Sequence, residues 1–197
     1  MDPARIGHVG EGTVRGVRTM IAALVPEAEP LVGAFRAELD PTARRGLGAH
    51  LTLVRPFVEP AALTGETVAA LRRAVAAVPA FACTFAELRW FSDRVLWLAP
   101  DAVAGFREIA DRVRAGFPEL PAEERELVPH LTVGLRRAAT TEALRAAEAA
   151  IAPQLPLTVR VDRVALMVRT QTWDVAAEAL LGVSPSGPSG RGCPGSP

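Results

Sequence analysis

The chain has 197 residues, 49% of them hydrophobic, and its 22 basic and 22 acidic side chains balance to a formal net charge of zero. This composition is typical of a folded domain with a sizeable core, and it argues against a protein held on long nucleic acid by overall charge. The two cysteines, Cys83 and Cys193, are too few to build a disulfide framework. No apolar stretch reaches the roughly 18 residues that span a bilayer, and the first residues lack a signal-peptide pattern. We therefore expect a cytoplasmic protein that does not bind membranes.

Both ends of the chain differ in composition from its middle. Residues 184–197 are mostly Ser, Gly and Pro, which bury too little apolar area to offset the entropy of ordering. We predict a flexible leader over residues 1–15, a single domain of two lobes over 16–183 and a disordered tail over 184–197.

Apolar periodicity predicts alternating strands and helices up to the middle of the chain. The first helix places Leu31, Phe35 and Leu39 on one face, and Asp101 is predicted to cap the third. In chain order the elements are a strand (18–25), a helix (28–40), a strand (47–58), a helix (65–78), strands (81–90 and 93–99), a helix (100–117) and a surface loop (118–129).

A similar order follows in the last third of the chain: a strand (130–135), a helix (141–151) and two more strands (155–169 and 172–181). Two equal spacings suggest a duplication, since His50 precedes Val95 by 45 residues (95 − 50) and His130 precedes Val175 by 45 (175 − 130). We predict an α+β fold whose two lobes are related by a pseudo-two-fold axis.

The tripeptide His-Leu-Thr occurs twice, at residues 50–52 and 130–132, and it holds two of the three histidines in the chain. Residues i and i+2 of a strand share a face, so His50 stands beside Thr52 and His130 beside Thr132. The intervening leucines point the other way. Strands placed side by side would gather two imidazoles and two hydroxyls into one cleft.

This set of groups suits attack at phosphorus. A neutral imidazole can take a proton from water while an imidazolium gives one to the departing oxygen, and histidine titrates near neutrality. Threonine hydroxyls can donate hydrogen bonds to the non-bridging oxygens. Such a reaction requires no metal ion.

Three other interpretations are open. A structural role explains the pattern less well, because burying His and Thr together is costly without partners. A catalytic zinc site usually takes a third protein ligand, and neither motif contains Asp, Glu or Cys. A nucleophile-based site fits poorly, since Cys83 lies in an apolar run and Ser92 in a turn without a nucleophile-elbow motif.

At these residues the chain resembles the 2H phosphoesterase superfamily, in the bacterial branch labelled 2'-5' RNA ligase family proteins. The resemblance covers residues 18–182. It rests on the paired H-x-T motifs, on the strand and helix before the first motif, and on the ending VDRVALMVRTQTWDVAAEALLG (161–182).

The resemblance implies a bilobal α+β fold in which two antiparallel sheets flank a central cleft. It also implies His50 and His130 as acid and base, and Thr52 and Thr132 as phosphate-binding residues. Relatives often carry Arg in the pattern H-x-T-x-x-R, whereas the second motif here has Leu135 there and its arginine one residue later. A one-residue shift turns a strand side chain to the other face, so Arg136, like Arg55, is a weaker candidate for substrate binding.

Together, the residues and the resemblance predict a metal-independent phosphodiesterase that acts on a 2',3'-cyclic nucleotide or an RNA-terminal cyclic phosphate. The alternatives are an ATP-independent 2'-5' RNA ligase and a non-catalytic nucleotide- or RNA-binding module. We expect a monomer with no cofactor. The three tryptophans could line the cleft for base stacking, although a core position is the favoured interpretation; they are Trp90, Trp97 and Trp173.

Overall fold

The computed structural model describes residues 18–122 and 125–183, where an antiparallel sheet of eight strands lies against four helices. Each predicted strand and helix forms in this part of the chain, with its ends shifted by a few residues at most. The run 155–169, predicted as one strand, forms two. The strands are β1 Arg18–Leu24, β2 His50–Val54, β3 Phe81–Phe91, β4 Val95–Pro100, β5 Leu131–Leu135, β6 Leu157–Val161, β7 Arg163–Arg169 and β8 Trp173–Leu180, and the helices are α1 Glu29–Leu39, α2 Gly65–Val75, α3 Val103–Gly116 and α4 Thr141–Ile151.

The strands form one curled sheet in the order β6-β3-β4-β5-β2-β1-β7-β8, with every neighbouring pair antiparallel. At its centre β2 and β5 are joined by the pairing of Leu51 with Leu131. The expected two sheets are therefore one continuous sheet, because this central pairing links four strands on one side to four on the other.

The two equal spacings do not mark equivalent strands. Val95 begins β4, an inner strand paired with both β3 and β5, whereas Val175 lies in β8, a strand at the edge of the sheet. A repeat in connectivity does surround the two H-x-T strands: the order β1-α1-β2-α2 recurs as β4-α3-β5-α4.

One face of the sheet packs against the helices and forms the main core. Leu51 and Leu131 are fully buried there, and α4 contributes Leu144, Ala147 and Ile151 as predicted. In α1 the buried side chains are Val32, Arg36 and Leu39. The predicted face of this helix was therefore only partly right, since Leu31 and Phe35 are half-buried at its margin.

Helix α3 begins without the expected side-chain cap. Its first turn is preceded by Ala102, and no side chain caps its backbone N–H groups. The carboxylate of Asp101 accepts a hydrogen bond from the backbone N–H of Thr84 instead, at 2.8 Å. Asp101 thus ties the start of the helix to β3.

The predicted leader (1–15) and tail (184–197) lie outside the described residues. Within 18–122 and 125–183, no helix is both long enough and apolar enough to cross a membrane.

Candidate active site

The two motif strands lie next to each other at the centre of the sheet. When two residues lie opposite each other on antiparallel strands, the residues on either side of them also lie opposite each other. The Leu51–Leu131 pairing therefore sets His50 toward Thr132 and Thr52 toward His130. Both leucines point into the helix-covered core. The other face, which we call the dyad face, therefore carries both His-Thr dyads.

Each imidazole is held in the same way, by the backbone carbonyl two residues before it. Nδ1 of His50 lies 2.8 Å from the carbonyl oxygen of Gly48, and Nδ1 of His130 lies 2.7 Å from that of Val128. A carbonyl oxygen only accepts, so Nδ1 carries the proton and donates in both rings. In a neutral ring this leaves Nε2 with a free lone pair, which makes Nε2 the atom available for proton transfer.

Burial distinguishes the two histidines. His50 is 9% exposed, and its burial is the main reason why its pKa falls from 6.5 to about 4. The carbonyl of Gly48 and the charge of Asp40 raise the pKa of His50, while the charges of Arg36 and of His130 lower it further. His130 is half-buried, and burial lowers its pKa as well.

Aromatic rings form the wall beside His130. Phe91 stacks on Trp97 with ring centres 4.6 Å apart, and both meet the imidazole edge-on, at 5.0 and 5.9 Å between centres. Trp97 also pairs directly with Thr132 across β4 and β5. This apolar wall fixes the ring plane of His130 and contributes to the burial that disfavours its charged form.

Helix α1 braces both motif strands from the core side. The buried Arg36 donates from Nε to the carbonyl oxygen of Thr132 at 3.0 Å and from a terminal nitrogen to Asp40 at 3.0 Å. The carboxylate of Glu29, 3.8 Å from the Arg36 guanidinium, accepts a hydrogen bond from the backbone N–H of Ala49, which precedes His50. One helix thus holds both dyads in place.

The other two predicted substrate-binding residues lie apart from each other. The guanidinium of Arg55 sits 5.8 Å from the ring centre of Trp173. Arg136 donates to the hydroxyl of Thr141 in the first turn of α4. Arg55 therefore lies at the dyad-face side of the sheet and Arg136 is directed toward a helix, and substrate contact by either residue stays a prediction.

The tryptophans occupy three different environments. Trp97 and Trp173 are each 5% exposed, and Trp173 packs with Met20 on the dyad face. Trp90 is half-buried, with its indole N–H donating to Glu148 at 2.8 Å. Trp97 and Trp173 are therefore buried and also lie on the dyad face.

Sequence reasoning missed Arg36 and Phe91. An arginine within an amphipathic helix usually predicts a solvated side chain, and only its spacing of four residues from Asp40 hinted at a pair. Phe91 ends a long strand, and nothing local indicates that it reaches His130. No group of three or more His, Cys, Asp or Glu residues with metal-binding geometry occurs among the described residues.

This arrangement, a curled antiparallel sheet that carries two H-x-T dyads and is backed by helices, defines a class of fold found in solved structures. The sheet and helices match the crystal structure of TT0787 from Thermus thermophilus with a TM-score of 0.61 at 21% identity, over 84% of this chain and 98% of that one. The Escherichia coli LigT structure complexed with 3'-AMP gives a TM-score of 0.54 at 20% identity, over 83% and 97%. At these identities the likeness concerns the fold.

The family follows from the sequence. The model of the 2'-5' RNA ligase superfamily matches residues 24–173, well over half of the chain. The chain belongs to the 2'-5' RNA ligase superfamily, and the predicted resemblance is confirmed. A comparison with curated protein sequences finds no match.

Proposed function

We propose that the protein is a metal-independent phosphodiesterase that opens 2',3'-cyclic phosphates at the end of a nucleotide or an RNA strand. The observation that carries this proposal is the pairing of Leu51 with Leu131, which brings both dyads to one face of the sheet. This supports a site in which two imidazoles with Nε2 available and two hydroxyls act on one phosphate. Superfamily membership supports phosphoesterase or ligase-like chemistry.

Burial suggests which histidine begins as the base. Because the pKa of His50 is about 4, its ring is uncharged near pH 7, and its Nε2 takes the proton of the attacking water. His130, whose pKa is lowered less and which is more exposed, gives the proton of its Nε2 to the departing ribose oxygen. One P–O bond forms to water and one P–O bond to the ribose breaks, so atoms and charge balance.

The same groups could serve the 2'-5' ligase alternative. There a ribose 5'-hydroxyl replaces water as the nucleophile, and the two histidines have the same roles. A crystal structure of E. coli LigT complexed with 3'-AMP supports a nucleotide ligand for this fold. Hydrolysis is our first choice because water needs no second binding site for an acceptor strand. A monomer acting in the cytoplasm stays part of this prediction.

The experiment that tests the function is incubation of the protein, with EDTA present, with the four nucleoside 2',3'-cyclic monophosphates and with a trinucleotide that ends in a cyclic phosphate. We expect turnover to a single regioisomer, resolved as the 2'- or the 3'-phosphate. Binding without turnover would identify a non-catalytic module instead. Adding an RNA strand with a free 5'-hydroxyl tests for ligated product.

The pH dependence of kcat/KM should reflect both burial effects. His50 must be neutral to act as the base, so activity rises with pH through about 4. His130 must be protonated to act as the acid, so activity falls as pH rises through its pKa, which burial places below 6.5. We expect a bell with its maximum below pH 6.5, measured on a cyclic mononucleotide. A maximum above pH 7 would contradict these roles.

The two threonines should contribute through their hydroxyls. Thr52→Val or Thr132→Val keeps the shape of the side chain and removes the donor to the phosphate. We expect each to lose about 2–4 kcal/mol of transition-state stabilisation, measured from kcat/KM. Thr158→Val, an exposed threonine on edge strand β6, is the matched control and should leave kcat/KM unaltered. Equal rates for all three variants would remove the hydroxyls from the mechanism.

A further inference from the structure

Three arginines meet at one end of the dyad face. Arg18 on β1 lies directly opposite Arg169 on β7, and Arg169 lies directly opposite Trp173 on β8. The guanidinium carbons of Arg55 and Arg169 are 5.8 and 5.9 Å from the ring centre of Trp173. Cation–π contact with one buried indole therefore holds two guanidiniums, with a third beside them.

Repulsion acts between the positive charges of this cluster. Like charges directly opposite each other on neighbouring strands repel. Burial lowers the pKa of Arg55, and the charges of Arg18, Arg169 and Arg137 lower it further. Among residues 18–122 and 125–183, no carboxylate forms an ion pair with Arg18 or Arg55. A bound anion would relieve the repulsion.

Two of the three arginines line a cavity, and they lie within reach of the dyads. This cavity, of about 250 Å³, is lined by Arg18, Arg55, Thr19 and residues 56–60, with the exposed Glu59 along its wall, and Arg169 and Trp173 lie outside its lining. Ala22 of β1 pairs with Thr52, and Arg18 is four residues further along β1. At about 3.3 Å per residue this separates Arg18 from the dyads by about 13 Å. An extended oligonucleotide can span such a distance with its neighbouring phosphates.

We propose that Arg18, Arg55 and Arg169 form a second phosphate subsite, which binds a non-reacting phosphate of an oligonucleotide whose terminal cyclic phosphate lies at the dyads. The planar guanidinium binds phosphate through two parallel N–H donors, and this geometry suits a phosphodiester. The inference rests on the proposed function and narrows its substrate class from mononucleotides to oligonucleotides. Trp173 is the residue that positions the two guanidiniums.

The test compares two substrates in three variants. For each protein, kcat/KM is measured on a 2',3'-cyclic mononucleotide and on a trinucleotide that ends in the same cyclic phosphate. Arg18→Gln and Arg169→Gln should each lower the ratio of trinucleotide to mononucleotide kcat/KM by at least about tenfold. They should also reduce the slope of log kcat/KM against log salt by about 0.7, the change per phosphate contact on a single strand.

Arg160→Gln is the matched control, because Arg160 is an exposed strand arginine on β6, at the opposite edge of the sheet. It should leave both the ratio and the salt slope at their wild-type values. The subsite is rejected if the wild-type protein turns over both substrates equally and neither Arg18→Gln nor Arg169→Gln changes the ratio. The proposed function would then still stand.

Failure of the proposed function gives a different result. If neither substrate is turned over, the affinity for the same trinucleotide, measured by titration, decides the subsite separately. Weaker binding by Arg18→Gln than by Arg160→Gln supports the subsite without catalysis. Equal binding by the two variants rejects it. Arg18 is exposed at the start of β1, so its replacement removes repulsion without opening the core.

Discussion

Replacement of either His50 or His130 by alanine should lower kcat on a 2',3'-cyclic nucleotide by a factor of about 10²–10⁴, the usual contribution of a positioned proton-transfer group. The reason is that each Nε2 is the atom left free when Nδ1 donates to the backbone carbonyl two residues before the histidine. Steady-state rates measured with EDTA present, at the pH optimum of the wild-type protein, provide the comparison.

The double variant makes this prediction sharper. Groups that act together in one step lose their effect together, so His50→Ala combined with His130→Ala should cost little more than the more damaging single change. His8→Ala, which alters the remaining histidine of the chain, is the control and should retain full activity. Multiplicative losses in the double variant, or an active His130→Ala protein, would show that the two rings do not share one reaction.

The sequence predicted the dyads because their geometry is local. Alternation in a strand places His50 beside Thr52 whatever the rest of the fold does. The convergence of the two dyads is not local, since it depends on one pairing between Leu51 and Leu131, 80 residues apart (131 − 51). The repeated tripeptide only suggested it, and superfamily resemblance supplied the architecture.

The sequence could not rank the two histidines, because both begin the same His-Leu-Thr tripeptide. Their difference arises from tertiary packing. His50 is the more deeply buried and is affected by the charge of Arg36, whereas His130 has its edge against Phe91 and Trp97. This asymmetry is the basis of the acid and base roles that we propose, which identical tripeptides leave open.

Helix α1 explains another limit of sequence reasoning. Its apolar spacing predicted a face containing Leu31 and Phe35, but the structure buries Val32 and Arg36 instead. A buried arginine is costly unless it is paired, and here Asp40 and the carbonyl of Thr132 supply the partners. One partner lies 96 residues away, so hydrophobic periodicity alone could not have predicted which face turns inward.

This buried pair leads to the largest stability effect we expect. Arg36→Met keeps a long unbranched side chain but removes the charge, which leaves the buried carboxylate of Asp40 without its cation. Removal of one partner of a buried ion pair costs about 3–5 kcal/mol. Arg36→Met should therefore lower the free energy of unfolding by that amount, measured by urea denaturation with the slope m compared between variants.

Two comparisons separate the buried pair from a general effect of losing arginine. Arg44→Met removes an exposed arginine whose guanidinium donates to the carbonyls of Ala37 and Glu38, and it should cost no more than about 0.5 kcal/mol. Adding Asp40→Asn to Arg36→Met should recover part of the loss, because the unpaired charge is removed while an oxygen still accepts from the backbone N–H of Thr42. If Arg36→Met unfolds at the same urea concentration as Arg44→Met, the buried contacts of Arg36 that join α1 to the dyad strands do not stabilise the fold.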